Sequence, residues 1–236
     1  MKLLVSVVDE SEVGAAVRGG ADIIDVKNPR EGSLGASLPH VIRRVRELTP
    51  PDLPVSAAIG DAPDLPGTTA LAAAGAAGCG VQYVKVGLPG PRERAAALLL
   101  LSEVCRAVRD RNPLAQVVVT GYADDRHSGS LLPDELPELA VQAGAHGCML
   151  DTANKGDGTL LSALPDSVLQ AFVAGCRGAG LLCALAGCLR EQDMPRILAL
   201  APDIVGVRGA ACGGDRLHGR VDEEAVLRLK GRLASG

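Results

Sequence analysis

The segment GGADIIDVKNPREGSLGAS, residues 19–37, decides how the fold is interpreted, because a short apolar strand ends there on charged residues. Residues 23–26 are β-branched or acidic, and Lys27 follows where a buried strand gives way to a loop. Alternation along a strand turns Asp25 and Lys27 to one side and Val26 to the other. We therefore expect an amine beside a carboxylate at the carboxyl end of a strand, where α/β barrels place their chemistry. A purely structural ion pair is the alternative interpretation.

Strand-like and helical segments alternate outward from this segment along the whole chain. Strands are predicted at residues 3–8, 23–26, 54–60, 78–87, 116–120, 143–152, 181–186 and 203–207. Helices are predicted at residues 10–18, 39–48, 68–77, 92–111, 133–143, 166–177, 191–200 and 222–233. Residues 152–164 form a long polar connection, of a kind that is usually functional or mobile. Eight such units in 236 residues indicate a single α/β domain that spans residues 1–236 and forms a closed (β/α)8 TIM barrel. The sequence has no G-x-G-x-x-G motif to support a dinucleotide-binding fold.

Composition and charge limit the classes of function. Hydrophobic residues make up 47% of the chain but only Phe172, Tyr83 and Tyr122 are aromatic, so Ala, Val, Leu and Ile must form the core. A net charge of -4 without a basic run argues against a nucleic-acid partner. The apolar stretches are too short to span a membrane, and the seven cysteines lack C-x-x-C spacing, as is typical of reduced thiols. We expect a cytoplasmic homo-oligomer that acts on a small molecule.

The five lysines stand out among 19 arginines, because a lysine can lose its proton and form an imine whereas an arginine cannot. Lys27, Lys85 and Lys155 lie near or after the ends of predicted strands, as do the carboxylates Asp25 and Asp151. In a barrel these strand ends converge on one rim. Each residue alone has a structural interpretation, such as a lysine extending to solvent or an aspartate capping a loop. Together they predict amine chemistry on a carbonyl substrate, with an aspartate moving protons.

Glycine turns follow the last two predicted strands, where barrels commonly bind phosphate through backbone amides. The candidate phosphate-binding residues are Gly187, Arg208, Gly209 and Ala210. Because Gly206 and Arg208 alternate to the same face, the Arg208 side chain is expected to reach the rim. Glycine turns are also ordinary at barrel rims, so a structural role is the alternative.

No metal site is predicted, because the four histidines are scattered without ligand spacing and no acidic cluster suits a divalent cation. His127, in the loop after the fifth strand, faces either substrate or solvent in this interpretation.

Long motifs then resemble one family. The segments LLVSVVDESEV, GGADIIDVKNPREGSLGA, VQYVKVGL, MLDTANKGDGTL and PDIVGVRGAAC are similar to the (5-formylfuran-3-yl)methyl phosphate synthases, also called 4-(hydroxymethyl)-2-furancarboxaldehyde-phosphate synthases. The resemblance runs from the first strand to the last. It implies a TIM barrel without a cofactor that converts two molecules of glyceraldehyde 3-phosphate into the furan precursor of methanofuran, releasing phosphate and water. Such a reaction belongs with the carbon–oxygen lyases acting on phosphates.

The resemblance also implies roles for individual residues. Lys27 matches the Schiff-base lysine and Lys85 the proton acceptor, while Asp25, Asp151 and Lys155 match further polar positions of the active site. Two alternatives stay open: a class I aldolase that stops at the aldol of a triose phosphate, and a phosphate-binding barrel without catalytic activity.

Overall fold

The computed structural model of the protein describes residues 1–90, 93–125, 131–156 and 158–234. Within these ranges eight parallel strands close into one barrel, each paired with its neighbours in sequence and the last with the first. The strands are β1 Lys2–Val7, β2 Ile23–Val26, β3 Val55–Asp61, β4 Tyr83–Gly87, β5 Gln116–Tyr122, β6 Gly147–Asp151, β7 Leu182–Leu185 and β8 Ile204–Val207. The predicted TIM barrel is confirmed.

Helices cover the outside of the barrel. They are α1 Val13–Arg18, α2 Pro39–Leu48, α3 Pro66–Ala77, α4 Arg94–Arg111, α5 Leu136–Ala143, α6 Leu160–Ala163, α7 Asp166–Gly178, α8 Met194–Leu200 and α9 Glu223–Ala234. The predicted connection 152–164 contains α6, at whose start the Ser162 Oγ accepts a hydrogen bond from the Thr159 N–H at 2.9 Å. The predicted helices at 10–18 and 191–200 each begin with a 3₁₀ turn, Glu10–Glu12 and Glu191–Asp193. Arg92 and His127 lie outside the described residues.

The two faces of the sheet carry different residues, which decides where the site can form. Outward-facing strand residues pack with the helices into one large apolar core that includes Phe172, and six of the seven free cysteines are buried. Inside the barrel a second apolar cluster forms a floor, with Leu4, Ile23, Val118, Met149 and Ile204 among its members. In β1, β2 and β6 the inward residue two positions after the floor residue (Leu4, Ile23 and Met149, respectively) is polar. The polar layer therefore lies on an apolar floor, towards the carboxyl ends of the strands.

Among the residues the structure describes, none of the helices combines the length and the apolar character needed to cross a bilayer.

Candidate active site

A pocket of about 280 Å³ opens at the carboxyl ends of the strands. Lys27, Lys85, Lys155 and Asp151 all line it, although they lie within or after three different strands, β2, β4 and β6. Asp25 lies fully buried beside them in the barrel interior. The structure thus brings together the five charged residues that the sequence placed at one rim.

Asp25 is paired with Lys85. The Lys85 Nζ donates to Asp25 Oδ2 at 2.8 Å, and the Ser6 hydroxyl donates to the same oxygen at 2.8 Å. The two charged side chains are 4% and 0% exposed. Strand alternation had suggested Lys27 as the partner, but strands β2 and β4 point their inward side chains into one layer, as alternate strands of a barrel do. The observed pair revises that expectation.

Asp151 forms a second ion pair. Its Oδ1 accepts hydrogen bonds from Lys155 Nζ at 2.6 Å and from the Thr152 backbone N–H at 2.7 Å. Burial alone would raise the pKa of Asp151, but Lys155, Lys27 and the two hydrogen bonds outweigh it and hold this pKa below its ordinary value. Asp151 is therefore a carboxylate at neutral pH, able to accept a proton.

Lys27 lies between these pairs, and its amine has no partner among the described residues. The backbone N–H of Lys27 donates to Val7 O at 3.1 Å, which continues the pairing of β1 with β2 and keeps the side chain pointing inward. Its amine forms no hydrogen bond or ion pair with the rest of the described chain, because Lys85 and Lys155 already hold Asp25 and Asp151.

The environment of Lys27 favours the neutral form of its amine. The pKa of Lys27 is lowered to about 8, chiefly by burial; Asp151 opposes this shift, Lys85 and Lys155 add to it, and Asp25 opposes it. Roughly a tenth of such amines are neutral at pH 7, compared with less than a thousandth at the ordinary pKa of about 10.4. A neutral amine on the wall of a pocket can attack a carbonyl carbon.

A network missed by the sequence analysis holds the loops around Lys27. The Asp61 carboxylate accepts hydrogen bonds from the Tyr122 hydroxyl and, at 3.2 Å, from the Ser33 N–H. Ser33 Oγ donates to Thr152 O at 2.9 Å, so the ends of β3 and β5 are linked to the loops after β2 and β6. Burial, and then the Asp61 charge, raise the pKa of Tyr122, which stays a neutral donor. The one sequence feature that could have indicated this network is Tyr122 itself, a rare aromatic residue at the end of a strand.

The loops after β7 and β8 form the opposite wall with backbone groups. Gly187 has a φ of 109°, and a Cβ there would lie 3.1 Å from Thr152 N, so glycine is required. Gly209 and Ala210 begin the 3₁₀ turn Gly209–Cys212, and both line the pocket. Their N–H groups donate to no acceptor in the described ranges of the chain. These amides are suited to an anion.

Arg208 is engaged in the protein interior. Its Nε and its two NH₂ groups donate to Glu12 and to three carbonyl oxygens, those of Ser6, Arg216 and Gly219, at 2.8 to 3.3 Å. These contacts use all five N–H donors of a guanidinium. Arg208 forms part of the pocket wall, but this arrangement revises the expectation that its side chain binds phosphate.

The sequence matches a known family along almost its whole length. Residues 3–230 match the model of the family described as 4-HFC-P synthase. The chain is 49% identical over 231 residues to (5-formylfuran-3-yl)methyl phosphate synthase of Methanocaldococcus jannaschii, with 98% of each chain covered. It is 48% identical over 236 residues to the protein of that name from Methanothermobacter thermautotrophicus, with 100% of each covered.

Solved structures with lower sequence identity share the fold. The 3-hexulose-6-phosphate synthase of Salmonella typhimurium superimposes with a TM-score of 0.69 at 21% identity, covering 100% of this chain and 99% of that one. Phosphoribosyl anthranilate isomerase of Thermus thermophilus gives a TM-score of 0.65 at 19% identity, with the same coverage. At these identities the similarity concerns the barrel alone.

The electrostatic balance around Lys27 predicts how its reactivity depends on pH. Labelling of Lys27 by fluorodinitrobenzene, read by peptide mass, should rise with pH to a midpoint near pH 8, because only the neutral amine reacts. Lys155→Gln should move this midpoint to higher pH, since it removes a neighbouring cation. Asp151→Asn should move it to lower pH, since it removes an anion. Exposed Lys2 in the same digests serves as the reference for the reagent; shifts in the same direction for both variants would contradict this balance.

Proposed function

The chain belongs to the 4-HFC-P synthase family, and we propose on that premise that it condenses two molecules of glyceraldehyde 3-phosphate through an imine on Lys27. The product is 4-(hydroxymethyl)-2-furancarboxaldehyde phosphate, a furan of the methanofuran type, formed with release of phosphate and water. The observation that supports this chemistry best is the buried amine of Lys27, which has a pKa of about 8, lies between two ion pairs and is unpaired within the described ranges of the chain.

The first step needs only residues of the pocket. The neutral Lys27 amine attacks the aldehyde carbon of one substrate and forms a carbinolamine. A proton from the Lys155 ammonium, which donates to Asp151 at 2.6 Å, assists the loss of the hydroxyl group as water. The resulting iminium draws electrons from the neighbouring carbon and so acidifies its C–H bond.

Lys85 and Asp25 are assigned to the proton transfers that follow. Lys85 lines the pocket, and its ammonium can pass a proton to Asp25, whose Oδ2 lies 2.8 Å away. The amine thus formed can take a proton from the carbon beside the iminium. The other oxygen, Asp25 Oδ1, has no hydrogen-bond donor among the described residues and so keeps acceptor capacity.

We assign the substrate phosphate to the loops after β7 and β8, next to Gly187, Gly209 and Ala210, because all three residues line the pocket. Unpaired amides at the start of a helical turn bind anions well. Elimination of one phosphate breaks a carbon–oxygen bond, so the proposed enzyme is a carbon–oxygen lyase acting on phosphates. The cytoplasmic location and the homo-oligomer expected from sequence stay predictions.

Product formation tests the proposed function. Incubation with glyceraldehyde 3-phosphate should produce near-ultraviolet absorbance and the mass of a furan aldehyde phosphate. Lys27→Arg should fold, as judged by circular dichroism, yet form no furan, because a guanidinium is not a usable nucleophile. Lys230→Arg is the matched control and should stay active, since Lys230 pairs with Asp22 on the outside of the barrel. An aldol mass without absorbance would indicate an aldolase, and the absence of any product would indicate a non-catalytic barrel. Furan formation by the Lys27→Arg variant would mean that another residue is the nucleophile.

A second variant separates imine formation from proton transfer. Lys85→Arg keeps a cation beside buried Asp25 but removes an amine that can accept a proton. Borohydride should still trap the substrate on this variant, whereas furan formation should slow by at least about a hundredfold, within the range of general acid–base effects. Furan formation at the parent rate would limit Lys85 to a structural role.

A further inference from the structure

Arg216 is a pocket residue that neither the sequence analysis nor the proposed mechanism uses. It lies between β8 and α9, lines the same pocket as Lys27 and is half-buried. One hydrogen bond holds its guanidinium, from NH2 to Gly32 O at 3.3 Å. Its other N–H groups meet no acceptor in the part of the chain that the structure describes, so the guanidinium can bind an anion.

Arg208 fixes the backbone from which Arg216 extends. Arg208 Nε donates to Arg216 O at 2.8 Å, and Arg208 is itself anchored by a buried ion pair with Glu12 at 2.9 Å. Gly214 N–H donates to Gly209 O at 2.8 Å, which closes the loop on the turn that carries the unpaired amides. The Arg216 backbone and these amides thus belong to the same loop, from which the Arg216 side chain extends to Gly32 O in the loop after β2.

The charges around the pocket favour an anion on this wall. Lys85 is neutralised by Asp25 and Lys155 by Asp151, whereas Arg216 has no carboxylate partner among the described residues. The Arg220 guanidinium of the same loop pairs with Asp9 at 2.6 Å, outside the pocket. A guanidinium with free donors matches the geometry of a phosphate group.

We propose that Arg216, together with the Gly209 and Ala210 amides, binds the phosphate of the triose phosphate that Lys27 attacks, and that Arg208 is a positioning residue for Arg216. This inference rests on the proposed function, since it names the group that selects the substrate of that site. It assigns phosphate selectivity to a side chain and not to the loop amides alone.

Borohydride trapping with two aldehydes tests the assignment. Arg216→Ala should raise the concentration of glyceraldehyde 3-phosphate required for half-maximal trapping at least tenfold, with a similar limiting rate. Trapping of glyceraldehyde, which has no phosphate, should be unchanged. Arg228→Ala is the matched control, because it removes the same charge from exposed α9, where Arg228 faces Glu191. Arg208→Lys removes the guanidinium that holds Arg216 O. This variant should lose trapping of the phosphorylated aldehyde selectively, but less than Arg216→Ala does.

Calorimetric titration with glycerol 3-phosphate makes the test independent of imine chemistry, because this ligand has a phosphate but no aldehyde. Arg216→Ala should bind it at least tenfold more weakly than the parent and the Arg228→Ala control. Unchanged binding, or equal loss of trapping for both aldehydes, overturns the assignment. A parent protein that traps neither aldehyde yet binds glycerol 3-phosphate through Arg216 contradicts the proposed function, and only the assignment of Arg216 as a phosphate-binding residue of the pocket then stands.

Discussion

The arrangement depends on the distribution of two carboxylates among three amines. Asp25 is held by Lys85 and Asp151 by Lys155, at 2.8 and 2.6 Å, and Lys27 receives neither. An isolated buried ammonium is costly because it loses its hydration, so the pKa of Lys27 falls to about 8. The two pairs therefore do more than neutralise their own charges: they leave one amine in the pocket available in its reactive form.

The barrel supplies what this distribution needs. Alternate strands bring Asp25 and Lys85 into one layer, and the apolar floor of Leu4, Ile23 and Met149 packs beneath that layer. Burying an ion pair is costly unless its groups are also hydrogen-bonded. Ser6 donates a second hydrogen bond to Asp25, as the Thr152 N–H does to Asp151. The site is thus stabilised by polar contacts within the barrel.

Strand alternation predicted the fold and the positions of the charged residues, because a period of two fixes which side chains face inward. It could not predict partners, because a lysine side chain is long enough to reach a neighbouring strand. Asp25 accordingly pairs with Lys85, 60 positions away, and not with Lys27. The prediction for Arg208 needed revision for a similar reason. Alternation indicated the strand face on which Arg208 lies, but its contact with Glu12, 196 residues away, depends on how the ends of β1 and β8 meet. The link between Asp61 and Tyr122 is likewise a tertiary contact without a local pattern.

The central claim, that Lys27 and no other lysine forms the covalent intermediate, is tested most directly by mapping the site of reduction. The protein is treated with glyceraldehyde 3-phosphate and borohydride, digested, and analysed by peptide mass. The account predicts added substrate mass on the peptide that contains Lys27, and unmodified peptides for Lys85 and Lys155. Substrate mass on Lys85 or Lys155, with the Lys27 peptide unmodified, would contradict it.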